Sequence, residues 1–306
     1  MGMTSRQRQL LYLLVETYIN TQTPVPSGLM AERMGLSPAM ARYELIELEE
    51  AGLITKPHAS AGRIPTRQGF QTYALSLLPP SPLPQATQDQ LAQVIERAGA
   101  RREVLLVQVA ARMARYPALL RIQPRRAPRL LQVHLSLLGA GQVLAVAVLE
   151  GGRVREARLE VSFSPSEAQL AEAEGLLKGL WAAEAIPTPS NPALRDLFAA
   201  LSRAFARGAL EEYREGMGLI LSEPEAQSPA FVRQAIELFE TPKDDPLTPP
   251  GGVNLRVGED GGFSLVQVGI GLGEVVGELT LLGPVRMRYG EALSVAHTLG
   301  RAYMRG

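Results

Sequence analysis

The stretch that decides the fold runs from Ser37 to Thr66 and has the sequence SPAMARYELIELEEAGLITKPHASAGRIPT. Ser37 can cap a helix, Pro38 suits the first helical position, and Gly52 can supply the left-handed residue that ends it. The sequence therefore predicts a helix from Pro38 to about Ala51. Small residues, breakers and cations follow the helix, which predicts a glycine-containing basic hairpin.

The two faces of this helix differ in chemistry. Ala41, Leu45 and Leu48 recur at helical spacing, so we expect them to face a core. The residues expected to project from the other side are Ala39, Arg42, Tyr43 and Ile46. An apolar back and a long-reaching front are what a helix needs in order to enter a DNA groove.

The residues upstream predict two further helices. Thr4 and Gln7 form a capping box ahead of a helical apolar stripe. We expect Ser27 to cap a short second helix that Gly35 closes, so that only a brief turn separates it from the helix at Pro38. Two helices joined by a short turn that contains glycine indicate a helix-turn-helix.

The hairpin downstream is predicted to be a wing, with a strand that begins at Leu53. Gly62 permits close approach to a phosphate backbone, while the cations Lys56, Arg63 and Arg67 favour phosphate. Net charge alone does not separate a DNA-binding domain from a small helical domain with a polar hairpin. Residues 1–78 hold seven Lys or Arg and six Asp or Glu, a balance of only +1. DNA binding is favoured because the caps, the apolar stripe and the basic hairpin agree.

On this hypothesis the candidate site residues take three roles. Side chains of the third helix face base edges or sugar, helix starts meet phosphate, and the hairpin holds the flanking backbone or minor groove. The residues expected to face base edges or sugar are Ala39, Met40, Arg42 and Tyr43. The helix starts are those at Ser27 and Ser37, and the hairpin residues are Lys56, His58, Ser60 and Arg63.

These segments resemble a known family. The runs from Ser37 to Glu44, from Leu48 to Ile54 and from Pro57 to Thr66 are similar to the heat-inducible transcription repressor family HrcA. The last run carries the distinctive Pro-His-x-Ser-Ala-Gly-Arg-Ile-Pro-Thr pattern. A second match, Gly-Pro-x-Arg-Met-x-Tyr, occupies Gly283 to Tyr289, although the resemblance is thin between Pro80 and Val253.

The resemblance implies a bacterial repressor of α+β multidomain fold, with an N-terminal winged helix-turn-helix, a GAF-like α+β domain and an inserted helical dimerisation domain. Such repressors bind double-stranded DNA as homodimers at an inverted repeat, the CIRCE operator, upstream of chaperone operons. They depend on the GroEL chaperonin, so heat-damaged proteins that occupy GroEL relieve repression. Where the family usually has Ile-Arg-Asn-Glu this chain has Ala41 to Glu44, and Tyr43 cannot make the bidentate adenine contact of Asn. The operator sequence of this chain can therefore differ from the one that the family usually binds.

The Pro-rich run at 79–84 cannot continue a helix and is expected to be a semi-rigid linker after a DNA-binding domain at 1–78. With the resemblance as guide, we assign the GAF-like domain to 85–163 and 216–306, and the inserted dimerising domain to 164–215.

Within the inserted domain the sequence predicts two amphipathic helices. Ser164 and Glu167 give a capping box for the first, whose stripe extends to Leu180 and Trp181, and Asn191 precedes the second. Their apolar stripes could cover each other within one chain or pair with a second subunit, and periodicity alone does not choose. The family resemblance favours dimerisation here.

Elsewhere the apolar pattern predicts helices interrupted at Gly99, half-buried strands and two more helices from Ser228 and Tyr289. The strands are expected at Leu131–Leu137, Val143–Leu149, Ala157–Phe163, Met217–Leu221, Val253–Val257, Phe263–Ile270 and Val275–Leu282. A basic cluster, Arg121, Arg125, Arg126 and Arg129, is expected to be a solvated loop, with a second nucleic-acid contact as the alternative.

Signals for an enzyme fail on context. Gly269, Gly271 and Gly273 precede a strand pattern rather than a helix, so we interpret them as a hairpin turn and not as a dinucleotide fingerprint. The chain has no cysteine, and its three histidines lack metal-ligand spacing. We therefore expect no catalytic residues, cofactor or metal.

The 306 residues leave room for two or three domains, and the sequence shows neither a membrane span nor a signal peptide. These features predict a cytoplasmic protein. The alternative function is a winged-helix regulator controlled by a small-molecule ligand in the GAF-like domain.

Overall fold

The computed structural model describes residues 3–124, 130–149, 152, 154–178, 189, 191–205, 210–241, 245–273 and 275–305. The N-terminal segment contains α1 (Ser5–Thr21), α2 (Ser27–Met34), α3 (Pro38–Glu50), β1 (Ile54–Thr55), β2 (Ile64–Pro65) and α4 (Arg67–Ser76). β1 and β2 form an antiparallel hairpin, and α1 packs on α2, α3 and α4. Helix α3 thus lies beside the hairpin on a common helical base.

A five-stranded sheet follows. After α5 (Gln85–Arg97) and α6 (Arg102–Ala114), its strands in spatial order are β7 (Glu211–Glu215), β3 (Ala118–Pro124), β10 (Val275–Pro284), β9 (Phe263–Leu272) and β8 (Val253–Asp260). Two short 3-10 helices, at Met217–Ser222 and Pro224–Gln227, and α9 (Pro229–Glu240) lie between β7 and β8 in the chain. The last helix, α10 (Tyr289–Arg305), packs on β9, α5 and α6.

The chain divides into two compact units. One comprises residues 1–121, 212–272 and 277–306, and the other comprises residues 122–211 and 273–276. The second unit contains a three-stranded antiparallel sheet of β4 (Leu130–Gly139), β5 (Gln142–Leu149) and β6 (Val154–Glu160), with α7 (Glu167–Leu177) and α8 (Pro192–Phe205). It begins well before residue 164, the boundary expected from the sequence, because these strands pack with α7 and α8.

Local signals placed the N-terminal helices correctly. Thr4 and Gln7 form the predicted capping box of α1, and Gly35 ends α2 in the left-handed conformation. The expectation for Ser27 is wrong, since Ser27 is the first residue of α2 and the cap position belongs to Pro26, which has no capping side chain. The predicted back of α3 is buried, with Ala41 and Leu45 fully inaccessible.

Polar and apolar patterning missed β3 of the five-stranded sheet and misplaced another of its strands. Met217–Ser222 is a 3-10 helix instead of the predicted strand, and the strand is Glu211–Glu215. Gly216, with φ of +81°, separates the two. Because β7 is an edge strand, its mostly charged sequence is compatible with pairing although it lacks apolar alternation. Of the glycines predicted to form a hairpin turn, only Gly273 lies at the β9–β10 turn, whereas Gly269 and Gly271 lie within β9.

Irregular pairing explains a second departure. The register of β4 shifts between Leu130 and Gln132, so Leu130 is buried whereas Leu131 is 45% exposed. Another shift follows Leu137, which is also exposed. The inward alternation predicted from Leu131 to Leu137 therefore holds only at Val133 and Leu135.

The apolar faces of α7 and α8 lie against the three-stranded sheet of the same chain. Leu170, Leu177, Leu194 and Leu201 share one core with the inward side chains of β4 to β6. The helix α7 is capped by Ser166 with Gln169, not by Ser164 with Glu167, because Pro165 lies outside the helix. Leu180 and Trp181 lie outside the described residues.

Arg121 corrects the expectation of a solvated basic loop, since it lies on β3 and is 4% exposed. Its guanidinium is 2.8 Å from the Glu278 carboxylate on β10. The backbone N–H and hydroxyl of Thr248 donate to the same carboxylate, and so does Gln267. Burial alone would raise the pKa of Glu278, but the donors Thr248 and Arg121 outweigh it and hold that pKa below its ordinary value. Arg125, Arg126 and Arg129 lie outside the described residues.

This network predicts an acid-sensitive part of the stability. Because the pKa of Glu278 is lower in the folded protein, its contribution is complete above the unfolded value of about 4.3 and is lost as pH falls through the folded value. Glu278→Gln should lower the free energy of unfolding by about 3 kcal/mol at pH 7, and the difference from wild type should shrink below about pH 4. Urea unfolding at several pH values measures this. Exposed Glu237→Gln is the control, and a difference that does not change with pH contradicts the prediction.

The hairpin is held by two close backbone approaches. Val25 and Arg63 exchange backbone hydrogen bonds of 2.8 and 2.9 Å, and a Cβ on Gly62 would lie 2.6 Å from the Val25 carbonyl. A Cβ on Gly69 would lie 2.1 Å from the Leu53 carbonyl oxygen. Glycine is therefore required at both positions by space rather than by backbone angle.

We expect Gly62→Ala to destabilise the N-terminal segment by about 1 to 3 kcal/mol, because the added methyl group must displace the Val25 backbone. Gly28→Ala is the matched control, since Gly28 lies in α2 and a Cβ there would meet no atom within 4 Å. It should be neutral or stabilising by about 0.5 kcal/mol. Chemical unfolding compares the pair, and equal stabilities would contradict the close packing at Gly62.

Candidate nucleic-acid interface

The exposed face of α3 carries the residues predicted to reach DNA. Tyr43 is 58% exposed and Met40 is 40% exposed, and Ala39 and Arg42 are exposed beside them. The face is formed because Ala41, Leu45 and Leu48 hold the opposite side in the core. It presents a guanidinium, a phenol and small side chains together to solvent.

The start of α3 is fixed by its cap. The Ser37 hydroxyl accepts a hydrogen bond of 3.2 Å from the Met40 backbone N–H, and Pro38 occupies the first turn. Ser37 is exposed, so the helix start is accessible. Ser27 is only partly exposed at the start of α2 and makes no such capping bond.

The Tyr43 hydroxyl lies beside the carboxylate of Glu47. This negative charge and the hydrogen bond to it raise the pKa of Tyr43. The phenol therefore stays protonated at neutral pH and can act as a hydrogen-bond donor.

Arg6 is a residue of this surface that the sequence did not reveal. Its guanidinium lies 3.3 Å from the Glu44 carboxylate and 3.7 Å from the Met40 sulfur. Glu44 is buried on α3, so Arg6 compensates its charge and ties the start of α1 to the exposed face. Because the partners are 38 positions apart, no local spacing could have indicated them.

The loop of the hairpin is exposed. Lys56, His58 and Ser60 all face solvent, and His58 Nδ1 lies 3.2 Å from the Ser60 hydroxyl. The Ala61 N–H donates to the His58 carbonyl and closes a tight turn. The structure thus brings three of the four predicted hairpin residues to one accessible edge.

Arg63 is placed differently from the expectation that it grips the backbone. Its side chain is 8% exposed, and its Nε lies 3.4 Å from the Glu49 carboxylate on α3. Lys56 Nζ lies 3.7 Å from the same carboxylate. Glu49 therefore fixes the base of the hairpin to the end of α3.

Thr66 makes a second link between α3 and the hairpin. Its hydroxyl donates to the Gly52 carbonyl at 2.7 Å and accepts from the Gly69 N–H, while its own N–H donates to Leu53. Thr66 caps α4 and holds the C-terminal end of α3 at the same time. The only sequence feature that could have indicated the capping role of Thr66 is its position three residues before Gly69.

Metal-binding and membrane-spanning features are absent from the part of the chain that the structure describes. There, no group of three or more His, Cys, Asp or Glu side chains could hold a metal ion. Among the same residues, no helix combines the length and apolar character needed to cross a lipid bilayer.

Comparison with known proteins identifies the family of this chain. Residues 105–293, more than half of the chain, match the family model described as HrcA protein C terminal domain. The Heat-inducible transcription repressor HrcA of Moorella thermoacetica is 28% identical, with 99% of this chain and 97% of the relative covered. The protein of the same name from Roseiflexus castenholzii is 29% identical, with 95% and 91% covered.

One solved structure shares the fold. It is the crystal structure of a hypothetical protein at 2.2 Å resolution, 21% identical, with a TM-score of 0.58 over 99% of this chain and 98% of the other. Together the comparisons define a class, the heat-inducible transcription repressors. The chain belongs to the HrcA family.

The two serines at helix starts give a matched test of the capping geometry. Ser37→Ala should lower the stability of the N-terminal segment by about 1 kcal/mol, because it removes the acceptor for the Met40 N–H. Ser27→Ala removes no capping bond and should stay within about 0.5 kcal/mol of wild type. Urea unfolding followed by circular dichroism measures both. Equal losses would show that the Ser37 cap does not stabilise α3.

Proposed function

We propose that this chain is a sequence-specific repressor that binds, as a homodimer, an inverted-repeat operator of the CIRCE type upstream of chaperone operons. The DNA-binding part is a winged helix-turn-helix formed by α1 to α4 with β1 and β2. The observation that carries the proposal is the exposed face of α3 beside an equally exposed hairpin loop. Repression takes place in the cytoplasm.

The proposal assigns base recognition to α3. Arg42 and Tyr43 are the long polar side chains of this exposed face, and Ala39 and Met40 are exposed beside them for contact with bases or sugar. Ser37 presents the start of α3 to a phosphate, and Ser27 does the same for α2.

The hairpin loop holds the flanking backbone or minor groove. Lys56 is 37% exposed and lies 3.7 Å from Glu49, so this weak surface pair can be exchanged for a phosphate. His58 and Ser60 supply further polar contacts at the same edge. Arg63 positions the hairpin rather than contacting DNA, because its buried side chain pairs with Glu49 and fixes the hairpin against α3.

Dimerisation is assigned to the second compact unit, residues 122–211, which extends the 164–215 segment expected from the sequence. An inverted repeat requires two-fold symmetry, so a second copy is needed. The apolar stripes of α7 and α8 are largely covered within the chain, but the unit also exposes large apolar side chains. Among these are Leu131, Leu137, Leu138, Val154 and Leu176. The five-stranded sheet with α5, α6 and α10 is proposed to be the GAF-like domain.

Control by the GroEL chaperonin follows from the family resemblance, and a small-molecule ligand is the competing hypothesis. A cavity beside the five-stranded sheet, lined in part by Leu119, Arg121, Phe239 and Gln267, has a volume of only about 40 Å³. That space holds a few water molecules and is far below the roughly 300 Å³ of a typical ligand pocket. A more open groove, lined in part by Arg256 and Gln267, measures about 400 Å³, so cavity size does not choose between the two hypotheses. Operator affinity with and without GroEL, beside thermal shifts with metabolite pools, separates the two.

Two substitutions test the assigned roles. Arg42→Ala should cost about 1 to 3 kcal/mol at the operator and reduce discrimination between operator and unrelated DNA. Lys56→Ala should weaken binding to all sequences and lower the salt slope of log Kd by about one. Titrations at several salt concentrations measure both effects, with exposed Arg112→Ala as the control.

Protection mapping on the chaperone promoters of the source genome tests the whole proposal. A palindromic footprint is expected, with one half-site for each protomer. Unchanged discrimination in Arg42→Ala would contradict the role of α3, and the lack of a footprint would contradict the operator assignment.

A further inference from the structure

Arg67 is the first residue of α4 and follows the hairpin directly, but its side chain turns toward the C-terminal sheet. Its Nε donates to the Val257 carbonyl on β8 at 3.0 Å, and one terminal nitrogen lies 3.9 Å from Glu259. The side chain is 56% exposed, so the ion pair with Glu259 is weak. The hydrogen bond to Val257 and the packing of the Arg67 aliphatic stem against Gly258 therefore hold this side chain on the sheet.

Gly258 makes room for that stem. It has a φ of +64° and lies where the β8–β9 register shifts between Val257 and Asp260. A Cβ at this position would lie 3.1 Å from Arg67 Cγ and 3.2 Å from a methyl group of Val285. Any larger residue would therefore be strained and would also push Arg67 away from the sheet.

Both sides of this contact are rigidly connected to the rest of the unit. The Gly258 N–H donates to the Ser264 hydroxyl, which lies 2.8 Å from the buried Tyr289 hydroxyl at the start of α10. On the other side, Thr66 precedes Arg67 and bonds to Gly52 at the end of α3. Two neighbouring residues thus connect the exposed helix to the C-terminal sheet.

We propose that Arg67 and Gly258 form a joint that sets the angle at which α3 is presented, and hence the half-site spacing that the dimer accepts. The inference rests on the proposed function. Arg67 is then a positioning residue rather than a phosphate contact, although its place in the sequence groups it with the basic residues of the hairpin. Its Nε is already engaged by Val257.

The test uses the full-length protein and operators whose two half-sites, taken from the footprint, are separated by a centre varied in steps of one base pair. Wild type should show a narrow spacing optimum. Arg67→Ala and Gly258→Ala should each lose about five- to tenfold in affinity at that optimum. Both variants should bind a single half-site within about twofold of wild type and keep an unchanged salt slope, since no phosphate contact is lost.

Two matched controls isolate the joint. Arg112→Ala removes an exposed arginine elsewhere in the chain, on α6. Gly99→Ala imposes the same kind of backbone strain, with φ of +53°, at a position with no atom within 4 Å. Both should keep the wild-type spacing optimum.

Three results of the DNA-binding experiment would contradict the proposed joint. They are a spacing profile unchanged in Arg67→Ala, a salt slope lowered by about one in that variant, and identical behaviour of Gly258→Ala and Gly99→Ala. Wild-type protein that shows no preference for an inverted repeat would instead count against the proposed function.

A measurement without DNA tests the joint independently. Because the chain has no cysteine, spin labels can be attached only at introduced sites, here Glu32→Cys on α2 and Glu291→Cys on α10. Labelled chains are diluted with unlabelled protein so that distances are measured within one chain. Arg67→Ala should broaden the distance distribution relative to Arg112→Ala. An equally narrow distribution overturns the proposal whatever the DNA result.

Discussion

The candidate interface depends on the backbone pairing between Val25 and Arg63. These residues lie far apart in the sequence, and their two hydrogen bonds hold the base of the hairpin against the segment between α1 and α2. The pairing brings the Arg63 side chain under α3, where Glu49 compensates its charge. Gly62 is the residue that permits this approach, because any side chain there would collide with Val25. The base of the hairpin is therefore fixed beside α3 by tertiary contacts.

The parts of this arrangement that sequence could predict are those with local causes. The caps at Thr4 and Ser37 and the buried positions of α3 depend on spacings of three or four residues, and the structure has them as predicted. The partners of Arg6, Arg63 and Arg67 are remote in sequence, and a basic residue looks the same whether it meets DNA or a carboxylate of its own chain. Tertiary pairing, rather than composition, decides which cations remain available.

The same distinction holds in the C-terminal part of the chain. The apolar pattern correctly predicted β9 and β10 of the five-stranded sheet, because most of their residues are buried, but it did not predict the neighbouring strand β3, which contains the buried Arg121. It missed the charged edge strand Glu211–Glu215 and misjudged Leu131, where a register shift interrupts the period of two. Edges and bulges are set by neighbouring strands, so one strand's own sequence does not contain them.

The division among the cations bears on how a nearly neutral domain could bind DNA. Of the seven basic residues in 1–78, Arg6, Arg63 and Arg67 contact acceptors of the protein, and Lys56 forms only a long surface pair with Glu49, which leaves at most Arg8, Arg33, Arg42 and Lys56 for phosphate. Four phosphate contacts would give a salt slope of only about −3.6 for each half-site. Such a domain holds a single half-site weakly, because counterion release supplies most of the affinity for non-specific DNA. Tight binding then requires two half-sites engaged at once, so the geometry that joins the two DNA-binding domains contributes to specificity as directly as the base contacts do.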